Sequence, residues 1–262
     1  MPTSALHVAR TGLEAQDTRM RVIANNLANI ATTGFKRDRA NFATLAYQDA
    51  RVAGQQSSTE TAYATGLNLG TGVSVQSTTA MTSQGTLNPT GNPLDLALDG
   101  DGYFQVQLPG GRTGFTRAGN FSRSAEGQLV TAQGYPLQPA ITLPEGATAI
   151  SVAADGTVSA ATSGSAEPSE LGQITIATFA NPAGLQALGD NFLAETAASG
   201  AAQAGPGGLA GRGNIRQGML EASNVNVVEE LVDMIETQRA YEVNSKLISA
   251  VDEMLRNANQ TL

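Results

Sequence analysis

Apolar residues recur every seven positions at both ends of the chain. Near the start, the repeat consists of Leu6, Leu13, Met20 and Leu27, with Ile23 at an intervening position. Near the end, it consists of Val227, Met234, Tyr241, Ile248 and Leu255, with Leu231 between the first two. A seven-residue apolar repeat keeps one narrow stripe facing a partner helix, which is typical of coiled coils. The pattern therefore predicts two long terminal helices that pair with each other.

Capping residues indicate where these two helices begin and end. Thr3 or Ser4 can cap the first helix, and Gly34 suits the left-handed residue that follows a helix which ends near position 31. Asn226, with Glu229 three residues later, is a capping pattern for the second helix. We expect that helix to continue to about position 257.

The middle of the chain has a different period. Leu94, Leu96 and Leu98 alternate with Asp95, Ala97 and Asp99, and a similar alternation follows from Tyr103. Period-two alternation between turn-forming segments is typical of half-buried antiparallel strands. The sequence thus predicts an α+β, mainly β fold, in which an antiparallel β domain carries long N- and C-terminal helices that pair as a coiled coil.

Three regions follow from these patterns. We expect a terminal helical coiled-coil domain at 1–33 and 225–262, an extended connecting region at 34–69 and 197–224, and a β domain at 70–196. The stretch at 197–213 is rich in Gly and Ala, a composition typical of linkers.

Composition and charge narrow the classes of function. The net charge of −8 disfavours nucleic-acid binding, which needs clustered cations. Residues 1–51 carry seven Lys/Arg against four Asp/Glu, a net charge of +3, and residues 221–262 carry three against eight, a net charge of −5. The two ends would attract each other. No cysteine occurs, and no apolar run is long enough for a membrane-inserted helix. Without a signal peptide at the start, composition alone predicts a cytosolic protein.

No group of residues predicts catalysis. The one histidine, His7, lies on the first predicted helix, and we expect a structural or solvent-facing role for it. Asp99–Gly102 resembles part of a calcium loop but lacks the distal glutamate, so a tight turn is the better interpretation. We therefore expect no catalytic residue, no metal site and no cofactor.

Amide side chains interrupt the apolar stripes. Asn25 and Asn29 lie four residues apart on the first helix, and Gln238 lies on the second. Two interpretations stay open: these amides form a solvated face, or they form an amide network that fixes the register between subunits. Under the second interpretation these three amides join the eleven apolar positions above as subunit-interface residues.

Two long motifs at opposite ends carry a family resemblance. Residues 24–37 read ANNLANIATTGFKR, residues 221–227 read EASNVNV, and residues 238–242 read QRAYE. Shorter motifs lie between them at 101–104 (DGYF), 115–121 (FTRAGNF) and 127–131 (GQLVT). Together they resemble the signatures of bacterial flagellar rod and hook proteins over essentially the whole chain. Length and an extra segment near 47–64 most resemble the distal rod subunits of the basal body.

The resemblance implies a mechanical function. It implies a subunit that self-assembles into a helical tube. The tube would act as a rigid drive shaft that transmits torque from motor to hook. It also implies export by the flagellar type III system to a rod that spans the periplasm, in place of the cytosolic expectation. Implied partners are further copies of the chain, proximal rod proteins, the hook protein, the rod cap and the surrounding P and L ring proteins.

Rival interpretations remain. A proximal rod paralogue is one. A soluble β-rich binding module with a helical oligomerisation stalk is another, and it would form closed oligomers with a ligand groove on the β domain. An enzyme is the weakest, because no catalytic group of residues is present.

Overall fold

One long helix lies near each end of the chain, and short strands lie between them in the sequence. The structure, a computed structural model, describes residues 2–56, 63–162 and 168–260. Helix α1 spans Pro2–Ala28 and helix α2 spans Val227–Gln260. Short 3-10 turns lie at Pro109–Gly111 and Pro182–Gly184. The strands in the described residues are β1 (Asp38–Thr44), β2 (Tyr47–Arg51), β3 (Leu67–Gly70), β4 (Val73–Ala80), β5 (Leu87–Pro89), β6 (Leu96–Asp99), β7 (Tyr103–Gln107), β8 (Thr113–Thr116), β9 (Ser122–Arg123), β10 (Leu129–Val130), β11 (Leu137–Gln138), β12 (Ala147–Val152), β13 (Thr157–Thr162), β14 (Ser169–Gln173), β15 (Ile176–Thr178), β16 (Gln186–Gly189), β17 (Phe192–Ala194), β18 (Gln203–Gly205), β19 (Asn214–Gln217) and β20 (Met219–Glu221).

The α+β, mainly β prediction is confirmed, and pairing of the helices as a coiled coil stays a prediction. Helix α1 ends three residues earlier than expected, and a turn closed by Thr32 N–H and the Asn29 carbonyl follows it. Asn226 caps α2 as expected, because its Oδ1 accepts the Val228 N–H at 3.1 Å. In the part of the chain that the structure describes, no helix has the length and hydropathy needed to span a membrane.

The chain divides into two compact units. The terminal unit comprises Met1–Leu27, Asp38–Thr79 and Asn226–Leu262. The central unit comprises Ala28–Arg37 and Ala80–Val225. The three regions expected from the sequence follow sequence patterns and not spatial contacts, so they stay a prediction.

The central unit holds the main hydrophobic core. Its largest sheet has the strand order β16-β17-β8-β7-β15-β18, and β11 pairs with β7. Strand β18 lies inside the Gly/Ala-rich stretch for which we predicted only a linker. Gly119 makes the core possible at one point, since a Cβ there would overlap the Leu96 carbonyl oxygen. The fully buried side chains of the core include Leu96, Leu98, Phe104, Leu137, Ile174, Ile176 and Ile215.

The terminal unit combines the two helices with an extended segment. Strand β1 pairs with β4, and β2 pairs with β3 as a hairpin. Thr11 of α1 contacts this segment, because its Oγ1 accepts the Val73 N–H at 3.3 Å. Gly72 is required beside it, since φ is +124° and any Cβ would overlap the Thr11 hydroxyl.

Candidate subunit interface

Helices α1 and α2 contact each other in antiparallel directions within the terminal unit. The Asn26 amide donates to Glu230 Oε2 at 3.3 Å, and Arg19 forms a 3.3 Å ion pair with Asp233. Further along, a Cβ at Gly12 would lie 3.0 Å from the Asn244 amide nitrogen. Residue numbers fall along α1 as they rise along α2. The contacts span two heptads, about 21 Å of helix.

The apolar positions that we predicted for the interface divide into two groups. One group is buried or half-buried within the chain itself: Leu6, Leu13, Met20, Ile23, Leu27, Met234, Ile248 and Leu255. The other group is exposed: Val227, Leu231 and Tyr241. The exposed group leaves more of its apolar surface open to a neighbour than the first group does. Contact of either group with another subunit stays a prediction.

The predicted amides lie mostly on the surface. Asn25 and Gln238 are exposed, and half-buried Asn29 accepts a 3.0 Å hydrogen bond from Thr32 Oγ1. Their role in register between subunits also stays a prediction.

Asn26 is the amide that sequence reasoning missed. It is 1% exposed, its Oδ1 accepts the Asp38 N–H at 2.9 Å, and its Nδ2 donates to the Asp38 carbonyl at 2.9 Å. The same Nδ2 donates to Glu230. Asn26 thereby joins α1, the start of β1 and the first turn of α2. Its spacing of three residues from Ile23 was the available signal.

Polar residues occupy the heptad positions of α2 that follow the apolar stripe by three residues. The stripe that we read from the sequence contains Val227, Met234 and Tyr241. The residue three positions after each is polar, and these residues are Glu230, Thr237 and Asn244. Glu230 and Thr237 are fully buried, and Asn244 is half-buried. The inward face of α2 is consequently more polar than the heptad of apolar residues indicated.

The opposite face of α2 is apolar and exposed. Val228, Leu231, Val232 and Ile235 are 69%, 43%, 50% and 51% exposed. Their spacing of three, four and seven residues places them on one side of the helix. We call these four residues the outer stripe.

A second exposed apolar surface lies on the β2–β3 hairpin. Tyr47, Leu67 and Leu69 are all exposed, and the Arg51 guanidinium lies 4.2 Å from the centre of the Tyr63 ring. This hairpin contains most of the extra segment near 47–64, of which residues 57–62 lie outside the described part of the chain.

A buried ion cluster joins the family motifs inside the central unit. Lys36 Nζ lies 2.6 Å from Glu221 Oε1, and Arg117 Nη1 lies 3.4 Å from Glu221 Oε2, an ion-pair distance without hydrogen-bond geometry. The Gly85 N–H donates to Glu221 Oε1 at 2.9 Å. Burial lowers the pKa of the Lys36 ammonium below its ordinary value, and the hydrogen bond to Glu221 opposes that shift. We call Lys36, Arg117 and Glu221 the ion cluster.

The candidate chemical sites have ordinary structural contacts. His7 is exposed on α1. Asp99 forms a 3.0 Å ion pair with Arg216 across the β6–β19 ladder. In the described ranges, no three His, Cys, Asp or Glu side chains come together in a way that could hold a metal ion.

The sequence is similar to known proteins over nearly the whole chain. Residues 6–36 match a model described as flagella basal body rod protein, residues 97–160 the flagellar hook protein FlgE/F/G D1 domain, and residues 216–261 the flagellar basal body rod FlgEFG protein C-terminal. The chain is 49% identical to the flagellar basal-body rod protein FlgG of Buchnera aphidicola subsp. Acyrthosiphon pisum and 48% identical to that of Caulobacter vibrioides, with 98% of each chain covered in both cases. It is 35% identical to the flagellar basal-body rod protein FlgF of Salmonella typhimurium, again with 98% of both chains covered. The chain belongs to the flagellar basal-body rod proteins and is a structural subunit of the rod.

Proposed function

We propose that this subunit builds the distal part of the rod, where copies of the chain assemble into a helical tube that passes torque from motor to hook. The observation that carries this proposal is the outer stripe of α2. A contact that repeats from subunit to subunit without closing produces a helical filament. The outer stripe would be the apolar surface that one subunit contributes to such a contact.

The outer stripe fits a neighbouring copy of this chain better than a small ligand. Its four aliphatic side chains lie on a helix with little concavity, and most small-molecule sites are concave. Covering half-exposed aliphatic side chains contributes about 1 kcal/mol for each. The opposite net charges of the two chain ends favour a neighbour's N-terminal region as the covering surface. In this arrangement the terminal helices pair as a coiled coil and line the inner layer of the tube.

The outer stripe can be tested by a charge placed on it. We expect Val232→Glu to abolish rod assembly and swimming when it replaces the chromosomal copy, because the glutamate would be desolvated at the contact. Leu209→Glu is the matched control, since Leu209 is 61% exposed, against 50% for Val232, but lies in the central unit. Electron microscopy of isolated basal bodies and soft-agar spreading are the measurements. Normal rods with Val232→Glu, at normal protein levels, would exclude the stripe as a contact.

The β2–β3 hairpin supports placement in the distal rod. We propose that the segment near 47–64 reaches a neighbouring subunit through Tyr47 and Leu69 and stiffens the tube against bending. Deletion of this segment should leave assembly intact and produce curved rods in electron micrographs. A straight, rigid rod after deletion would contradict the stiffening role and favour a proximal position instead.

Partners and export belong to the same proposal. Proximal rod proteins, the hook protein, the rod cap and the P and L rings are the neighbours that a distal subunit would meet in the periplasm. A chain that leaves through the type III system must travel unfolded, and the lack of cysteine is compatible with arrival in an oxidising compartment.

The rival from a different class is a soluble β-rich binding module. It predicts closed oligomers of fixed size in place of a tube. Electron microscopy of the purified, concentrated protein distinguishes them, since a tubular lattice excludes closed oligomers.

A further inference from the structure

The first three turns of α2 have their polar and apolar sides reversed. Glu230, Asp233 and Thr237 lie on the side that is buried or half-buried, while Val228 and Val232 of the outer stripe face solvent. A surface helix normally buries its apolar side. At 3.6 residues per turn, the outer stripe lies about half a turn around the helix from Glu230. Within these three turns, burial of apolar surface alone would therefore favour the opposite orientation of the helix.

Specific polar contacts hold the observed orientation. Glu230 is fully buried yet lies in the first turn of α2, where the helix dipole favours a carboxylate. The Asn26 amide donates to its Oε2, and Asn26 is itself fixed by two hydrogen bonds to the main chain of Asp38. An outward rotation of Glu230 would leave the Asn26 Nδ2 with the Asp38 carbonyl alone. A buried polar residue at a helix–helix contact can fix register in this way at a cost in stability.

We propose that Asn26, Glu230 and the Asp38 main chain select which side of α2 packs against α1. This polar network keeps the less apolar side inward and leaves the outer stripe exposed. The value of that exposure for assembly rests on the proposed function. The selection itself is a property of the single chain.

Cysteine reporters can measure the selection because the natural chain has none. Val232→Cys and Thr237→Cys, made in separate full-length proteins, place a thiol on the outward and the inward side. We expect a maleimide to label the reporter at 237 about tenfold more slowly than the reporter at 232, since labelling at 237 requires local opening. Glu230→Leu, added to each protein, should reverse that order. Glu230→Gln, which keeps an acceptor for Asn26, should preserve it.

Glu229→Leu is the matched control, because Glu229 is an adjacent and exposed glutamate. The original order of labelling should persist in that background. Two results would overturn the proposal. One is unchanged protection of the reporter at 237 in the Glu230→Leu protein. The other is rapid labelling of both reporters, which would show that Glu230 holds the helix in place without choosing its side. Labelling uses soluble subunits, so a failure of the outer stripe in assembly would leave this result unaffected.

Discussion

Replacement of Glu221 should strongly destabilise the central unit. Its side chain is 0% exposed, and Lys36 and Arg117 are only 10% and 5% exposed. Glu221→Gln preserves the shape of the side chain but removes the one negative charge of the ion cluster. Lys36 and Arg117 would then remain buried without a carboxylate between them.

The size of the effect follows from this imbalance. Removal of one partner from a buried ion pair costs about 3–5 kcal/mol, because the remaining charge is desolvated without compensation. Lys36→Met should cost less than Glu221→Gln. In that variant Glu221 keeps Arg117 and the 2.9 Å hydrogen bond from the Gly85 N–H.

Urea denaturation of the full-length protein, followed by far-ultraviolet circular dichroism, measures both variants. Glu170→Gln is the control, since Glu170 is exposed on β14, and its effect should stay within about 0.5 kcal/mol. A loss below about 1 kcal/mol for Glu221→Gln, or a larger loss for Lys36→Met, would refute the assignment of Glu221 as the centre of the cluster.

Three further predictions address single positions. Gly119→Ala should lower the free energy of unfolding by about 1–3 kcal/mol in urea denaturation, because the new Cβ would overlap the Leu96 carbonyl. Asn226→Ala should cost about 1 kcal/mol of stability and lower the helical circular dichroism, because the Val228 N–H loses its cap. Burial raises the pKa of the Asp38 carboxyl, so its charge opposes folding at neutral pH and its protonated form does not. Asp38→Asn should therefore raise the thermal midpoint at pH 7, and that advantage should vanish as the pH falls through the raised pKa; an advantage independent of pH would contradict this explanation.

Local patterns in the sequence were sufficient to predict both helices and several of the strands. The heptads predicted both terminal helices, Asn226 predicted the start of α2, and alternation around Leu96 and Tyr103 predicted β6 and β7. These signals succeed because backbone geometry sets the periods of two and 3.6 residues within one short segment. Strand β18 was missed, because its Gly/Ala-rich sequence has no alternation and it is held by pairing with β15.

Contacts between segments that are distant in the sequence could not be read from local patterns. Asn26 binds the main chain of Asp38, and main-chain groups carry no sequence signal. Glu221 pairs with Lys36 across 185 residues of chain. Each side chain stands inside a recognisable motif, but the partner is defined only once the fold brings the two segments together.

The inward side of α2 shows the limit of reasoning from hydrophobicity. Met234 and Ile248 of the heptad from Val227 to Leu255 are half-buried, but the heptad carried no information on the residues three positions later along α2. A helix with two apolar stripes can bury either, and the choice depends on whether a buried carboxylate at Glu230 finds partners. The amide of Asn26, which is held by the main chain at the start of β1, is one such partner. In a subunit that leaves apolar surface uncovered for its neighbours, polar contacts can decide which side of a helix is buried. The apolar side of that helix then stays exposed.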